Sequence, residues 1–146
     1  MTYTLLPFRA YHLEEMQDLD PGLIIDAWLQ PATLREMENH SSYTLLHNLL
    51  PVGCAGIMQL WHGRYVGWAF FTSDAGPHML AATRKARQFL AKTTARRIEI
   101  TVDARFAQGL KWARALGFRE ETPLLRAYSP EGRDHVGFVR LAEWLP

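Results

Sequence analysis

The chain has one cysteine, Cys54, in 146 residues, so no internal disulfide can form and a reducing compartment is expected. A single thiol cannot build a structural zinc site either, and His62 and His135 fall into no metal-ligand spacing such as His-Glu-x-x-His. Metal is therefore not expected. There is no apolar run near the ~18 residues a spanning helix needs, which predicts a chain with no membrane partner that works in the cytoplasm. There is also no excess of charge: 16 Lys and Arg stand against 15 Asp and Glu, a net +1 that makes nucleic acid an unlikely partner. No Gly-x-Ser-x-Gly elbow and no Gly-rich loop ending in Lys-Ser/Thr occurs, which removes the commoner hydrolase and kinase readings. Internal repeats and low-complexity segments are absent.

What the sequence has is apolar mass. An apolar fraction of 48%, with five Trp and seven Phe, suffices for one core, and a single domain over 1–146 is expected. Neighbours Val52, Ala55 and Ile57 mark Cys54 as a buried structural thiol. Charge is uneven along the chain: residues 84–114 hold nine Lys or Arg against Glu99 and Asp103, while residues 9–38 hold seven acids against Arg9 and Arg35. A basic face of this kind suits a phosphate-bearing ligand, although solvated helix faces explain most such clusters.

The stretch from Tyr65 to Phe118 organises the rest. Tyr65 to Thr72 is an apolar, aromatic-rich run of strand length. Ser73-Asp74-Ala75-Gly76-Pro77 breaks it, with Gly76 expected as N-cap and Pro77 in the first turn of a helix. Met79, Ala82, Ala86, Phe89 and Leu90 recur at helical spacing, with Arg84, Lys85, Gln88 and Lys92 on the other side, so an amphipathic helix to Lys92 is predicted. Arg97 to Val102 follows as a β-branched strand. Phe106, Leu110, Ala113 and Leu116 mark a second helix closed by Gly117. Strand, helix and strand imply a right-handed parallel step.

Around that step, Thr2 to Phe8 predicts an edge strand that tolerates Pro7. Ala10 to Met16 predicts a short helix. Leu23 to Leu29 begins another, which Pro31 kinks or restarts. Tyr43 to Leu50, Cys54 to Trp61 and Tyr65 to Thr72 read as an antiparallel meander turning at Pro51-Val52-Gly53 and His62-Gly63-Arg64. Arg119 to Tyr128 and Val136 to Leu141 read as a closing hairpin around Ser129 to Asp134.

This order, together with Val102 to Phe118 and its helix ending in Leu116-Gly117-Phe118-Arg119, resembles the Gcn5-related N-acetyltransferase (GNAT) superfamily. The Val102-Asp103-Ala104 start, Trp112 and the Gly132-Arg133-Asp134-His135 hairpin look like a branch of small GNAT-like proteins encoded by bacteriophages. The resemblance implies an α/β fold with a mixed sheet: an antiparallel meander, one parallel βαβ step and a C-terminal hairpin. It implies acetyl-CoA as cofactor, an amine acceptor on a small molecule or protein, and contacts to the cofactor from Val66, Trp68, Phe70, Thr72, Gly76, His78, Met79 and Arg84. Strand backbone N–H groups would hold the thioester carbonyl. The family's phosphate turn carries Gln or Arg, two residues, Gly, one residue, then Gly or Ala. Here Ser73-Asp74-Ala75-Gly76-Pro77-His78 keeps Gly76 alone, Pro77 removes a donor and Asp74 adds negative charge, so weak or absent cofactor binding is expected, with His78 and Arg84 as partial compensation. The family's thiolate-reprotonating Tyr is Ala113, and the Asn that often begins the helix is Phe106.

Glu99, alternating with Ile98 and Ile100, is the candidate catalytic base, against the plainer reading that it pairs with Arg97, Arg96 or a helix Lys. Asp103 reads as a helix N-cap. His62 and His135 are the other titratable candidates. Trp61, Tyr65, Trp68 and Trp112 are core residues or line a cleft or partner surface. Two functions follow. One is acyl transfer from CoA to an amine. The other is a GNAT-shaped binding module without the chemistry, used by a phage in host takeover on a host protein in the host cytoplasm, or as a virion component. A homodimer is left open.

Overall fold

A computed structural model of the chain describes residues 2–16, 19 and 30–145. The elements are β1 (Tyr3–Pro7), α1 (Tyr11–Glu15), α2 (Pro31–Asn39), β2 (Ser42–His47), β3 (Leu50–Trp61), β4 (Arg64–Phe71), a 3-10 turn (Gly76–His78), α3 (Met79–Lys92), β5 (Arg97–Asp103), α4 (Ala107–Ala115), β6 (Arg119–Leu125), β7 (His135–Leu141) and a last 3-10 turn (Ala142–Trp144). The expected helix from Leu23 to Leu29 lies outside the described residues. Among the described residues no helix is long and apolar enough to cross a membrane.

The strands form a seven-stranded sheet in the order β1-β2-β3-β4-β5-β7-β6. β1 occupies an edge, where Pro7 opposite Tyr43 can lack its N–H without breaking an interior ladder. The parallel step is present, with Arg64, Tyr65 and Val66 of β4 beside Arg97, Ile98 and Glu99 of β5. β7 runs antiparallel to both β5 and β6 and lies between them. The mixed sheet and its element order agree with the expected fold class.

Two local expectations are corrected. The β2–β3 hairpin turns at Asn48 and Leu49, both at positive φ (50° and 73°), rather than at Pro51-Val52-Gly53. Asn tolerates the left-handed region, and Pro51 is instead paired in the ladder opposite Leu46, beside a register shift at Leu45/Leu46. The cap before α3 is Ala75 rather than Gly76, because the chain enters through a 3-10 turn; Pro77 does sit in its first turn.

The chain forms two compact units, Met1–Met58 with Trp68–Lys85, and Gln59–Gly67 with Ala86–Pro146. The first is centred on Phe8, Met16, Met37, Cys54, Trp68 and Phe70, with Phe8 packed against Trp68 edge to face at a centroid distance of 5.0 Å. Cys54 is buried there, and burial drives its thiol far above the ordinary range, which makes it inert. In the second unit Ile98, Phe138 and Val139 supply the buried strand faces, and Ala113 and Phe118 supply those from α4 and its exit. The Leu116-Gly117-Phe118 motif is explained by its end. Gly117 at φ +94° lets its N–H donate to Arg114 O at 3.0 Å and the Phe118 N–H to Ala113 O at 3.1 Å, a Schellman closure that turns Phe118 into the core.

Candidate active site

The candidate cofactor residues fall into two groups. Along β4, alternation sends Trp68 and Phe70 inward; they are 8% and 2% exposed, so a ligand can meet their main chain but not their rings. Val66 is half-buried and pairs with Glu99 across the parallel ladder. Thr72 donates both its N–H and its hydroxyl to Val52 O, at 3.2 and 3.4 Å.

The turn after β4 holds the second group. A diphosphate binds such a turn through unpaired amides and the positive end of the helix. In this chain the Ala75 N–H donates to Thr72 O at 3.1 Å, the His78 N–H to Ala75 O at 2.8 Å and the Met79 N–H to Gly76 O. Pro77 has no N–H to offer. The Gly76 amide makes none of these bonds, and Gly76 is exposed, with nothing within 4 Å of where a Cβ would stand. Asp74 and Arg84 are both exposed. The residues present thus fit a diphosphate poorly, with one open amide set against the Asp74 carboxylate in the turn itself and the Arg84 guanidinium exposed further along α3.

His78 does not supply the compensation expected of it. Its Nδ1 shares a hydrogen bond of 2.8 Å with the Tyr3 hydroxyl, and its ring lies 4.4 Å from that of His47. The side chain is tied to β1 and β2. Nothing in the local sequence announces this, because the partners are 75 and 31 positions away.

Glu99 lies in the second unit among arginines. Arg64 engages it through two nitrogens, Nη2 at 2.9 Å to Oε1 and Nε to Oε2, and Arg97 Nε reaches Oε2 at 2.7 Å. Arg97 also holds Glu121, with Nη1 at 2.9 Å. The Arg64 guanidinium first, then Arg97, bring the Glu99 carboxyl down to about 2 against the opposing pull of burial. A carboxylate so stabilised is a poor proton acceptor at neutral pH, which argues against the expected role as base and favours the pairing alternative. Of the expected partners, Arg97, Arg96 or a helix Lys, Arg97 is the one that meets Glu99, while Arg96 donates to His62 O. Arg64, at the start of the neighbouring strand, becomes one only once the parallel register sets it beside Arg97.

Asp103 is buried, but the N-cap of α4 is Phe106, with no side-chain cap, so the N-cap expectation is corrected. Its Oδ1 accepts the Arg105 N–H at 2.9 Å and its Oδ2 meets Arg133 at 3.2 Å. Burial alone would raise this carboxyl; the Arg105 amide and Arg133 together bring it below its ordinary value. His135 sits opposite Asp103 in the ladder, shares a 3.2 Å contact with the Thr101 hydroxyl, and titrates low because it is buried. Among the described residues no group of three or more His, Cys, Asp or Glu could hold a metal.

The sequence matches no protein-family model and no curated protein. Solved structures do match. An IAA acetyltransferase from Bacillus cereus aligns over 96% of this chain and 99% of its own, with a TM-score of 0.72 and 9% identity. The fold is that of the GNAT acetyltransferases. An acetyltransferase of the GNAT family from Bacillus anthracis aligns over 98% and 96% with a TM-score of 0.64 and 14% identity. Mycobacterium smegmatis RimJ, solved in complex with CoA-disulfide, aligns over 99% and 84% with a TM-score of 0.66 and 18% identity. At these identities the likeness is one of GNAT fold, and the chemistry has to be argued from the side chains.

Proposed function

We propose that this chain is an acyl-CoA-dependent N-acyltransferase that moves an acetyl group from acetyl-CoA to an amine of a small molecule or protein, with weak affinity for the cofactor. The carrying observation is the GNAT fold along nearly the whole chain, with the parallel β4–β5 ladder ending at Val66 and Glu99. The cofactor would supply an activated acyl carbon. Main-chain groups of β4 from Val66 to Thr72 would bind its pantetheine, the Gly76 amide and Arg84 its phosphates, and Met79 its edge. Glu99 fixes the two arginines at the starts of β4 and β5, and the proton of the attacking amine leaves to water rather than to Glu99. The test is release of free thiol from acetyl-CoA in the presence of a panel of small polyamines and peptide N-termini. Amine-dependent release is expected, reduced about tenfold or more by Gly76→Glu, which puts a carboxylate at the open amide. No amine-dependent release from acetyl-CoA or propionyl-CoA would remove the reading.

A second reading has its own support. Apart from Gly76, the turn amides are engaged within the chain or, at Pro77, missing; His78 and Glu99 are engaged as well, and large apolar side chains are exposed: Leu49 at 82%, Leu80 at 65% and Trp61 at 59%. A catalytically degenerate binding module fits these facts; a phage origin, with action on a host protein or as a virion component, comes from the resemblance alone. The module predicts that Glu99→Gln and Gly76→Glu leave the biological effect intact while Trp61→Ala, or charge reversal at Arg84 and Lys85, abolishes it.

A further inference from the structure

Arg140 interrupts the apolar run of β7, a strand whose residues from His135 to Arg140 are all buried. It is 5% exposed. Its Nη2 donates to Leu90 O at 2.7 Å, which caps the negative end of α3. That bond accounts for half of the guanidinium's outer edge. Nη1 is buried with no hydrogen-bond partner. Burial is the one influence acting on its proton affinity, with no carboxylate contributing, and a guanidinium keeps its charge regardless. Buried charges in folded proteins are paired or solvated, so an unpaired one marks a place where an anion is missing.

The surroundings show where such an anion would come from. Arg140 lines a cavity of about 400 Å³ beside the last turns of α3, a volume typical of small-molecule sites. Arg87, whose Nε and Nη2 donate to Ala115 O, and Arg119, both exposed, contribute two further guanidinium groups, while Leu90, Leu141 and Trp144 contribute apolar wall; among the described residues no acidic side chain lines the cavity. Arg119 lies over the Trp144 ring at 4.2 Å, which holds cation and aromatic face together. None of these residues belongs to the acyl-transfer proposal.

We infer that this cavity is a binding site for a small amphipathic anion, whose carboxylate or phosphate head meets the arginine cluster and whose hydrocarbon body lies against Leu90, Leu141 and Trp144. The probes are octanoate, octyl phosphate, 1-octanol and inorganic phosphate, titrated into the full chain and followed by amide chemical shifts and by heat. One of the two amphipathic anions should bind at least about tenfold tighter than octanol, shift the amides of Leu90, Ala91, Leu116 and Gly117, and identify the head group by its preference. Because Arg140 itself can be needed for folding, the discriminating variant is Arg119→Glu, at an exposed position. It should weaken that anion about tenfold with the remaining spectrum unchanged. Octanol binding as tightly as octanoate, shifts elsewhere in the chain, indifference to Arg119→Glu, or inorganic phosphate binding as well as octyl phosphate would each overturn the proposal.

Discussion

The two ends of α3 differ in what their polar groups have left to give. At the N-terminal turn the amides of Ala75, His78 and Met79 close on the chain's own carbonyls, Pro77 has none, and the His78 ring is held by Tyr3. At the C-terminal end Arg140 satisfies Leu90 O and keeps a buried Nη1 without a partner. The first end is the turn that the family resemblance implies would hold a diphosphate, yet apart from Gly76 its donors are engaged internally. The second carries unpaired positive charge. Position within a fold and readiness for a ligand are therefore separate properties, and the second is read from unsatisfied groups.

The comparison can be sharpened first at Glu99, whose engagement is the most complete. Its carboxyl titrates near 2 when folded, against about 4.3 unfolded, so the stability from its pairing is fully present above about pH 5 and is lost as pH falls through 2. Discounted for partial exposure, that limb is worth about 2 kcal/mol. Chemical denaturation from pH 6 to 2 should show it in the native chain and show it flattened in Glu99→Gln; identical profiles would mean the arginines do not hold the carboxylate in solution. Next in size is a repair of the engaged end. Asp74→Asn with Pro77→Ala removes a repelling charge and restores an N–H, and should tighten acetyl-CoA about tenfold by titration calorimetry, the equivalent of one charge-assisted hydrogen bond. Unchanged affinity would place the cofactor elsewhere. Gly117→Ala should cost about 1 kcal/mol in denaturant unfolding, since Gly117 has φ +94° and open space around it, leaving backbone conformation as the whole cost. Smallest is Tyr3→Phe, which removes the hydroxyl from His78 Nδ1 and should lower stability by roughly 0.5–1 kcal/mol without weakening acetyl-CoA.

The fold was legible where the signals were local. Pro7 announced an edge, Pro31 a helix start, and Leu116-Gly117-Phe118 a closure whose geometry only glycine accepts readily. Pro51 and Gly53 are stronger turn residues by type than Asn48-Leu49, yet both are paired in the β2–β3 ladder, opposite Leu46 and Leu45, and the turn falls before them. The candidate site was less legible, for a physical reason: its outcome depends on partners far apart in sequence. Tyr3 meets His78 across 75 positions, and Arg64 joins Arg97 on Glu99 through the parallel register; no local spacing encodes either. Arg140 had a visible signal, a lone Arg inside Val136 to Leu141, that reads as surface until the strand is known to lie between β5 and β6.

The most direct test of the account is isothermal titration of the chain with acetyl-CoA. Partial engagement of the turn predicts saturable binding with a dissociation constant of roughly 0.1–1 mM, weakened further by Gly76→Glu. Absence of heat at millimolar cofactor would contradict acyl transfer, and binding in the nanomolar range would contradict the claim that the turn's donors are already engaged.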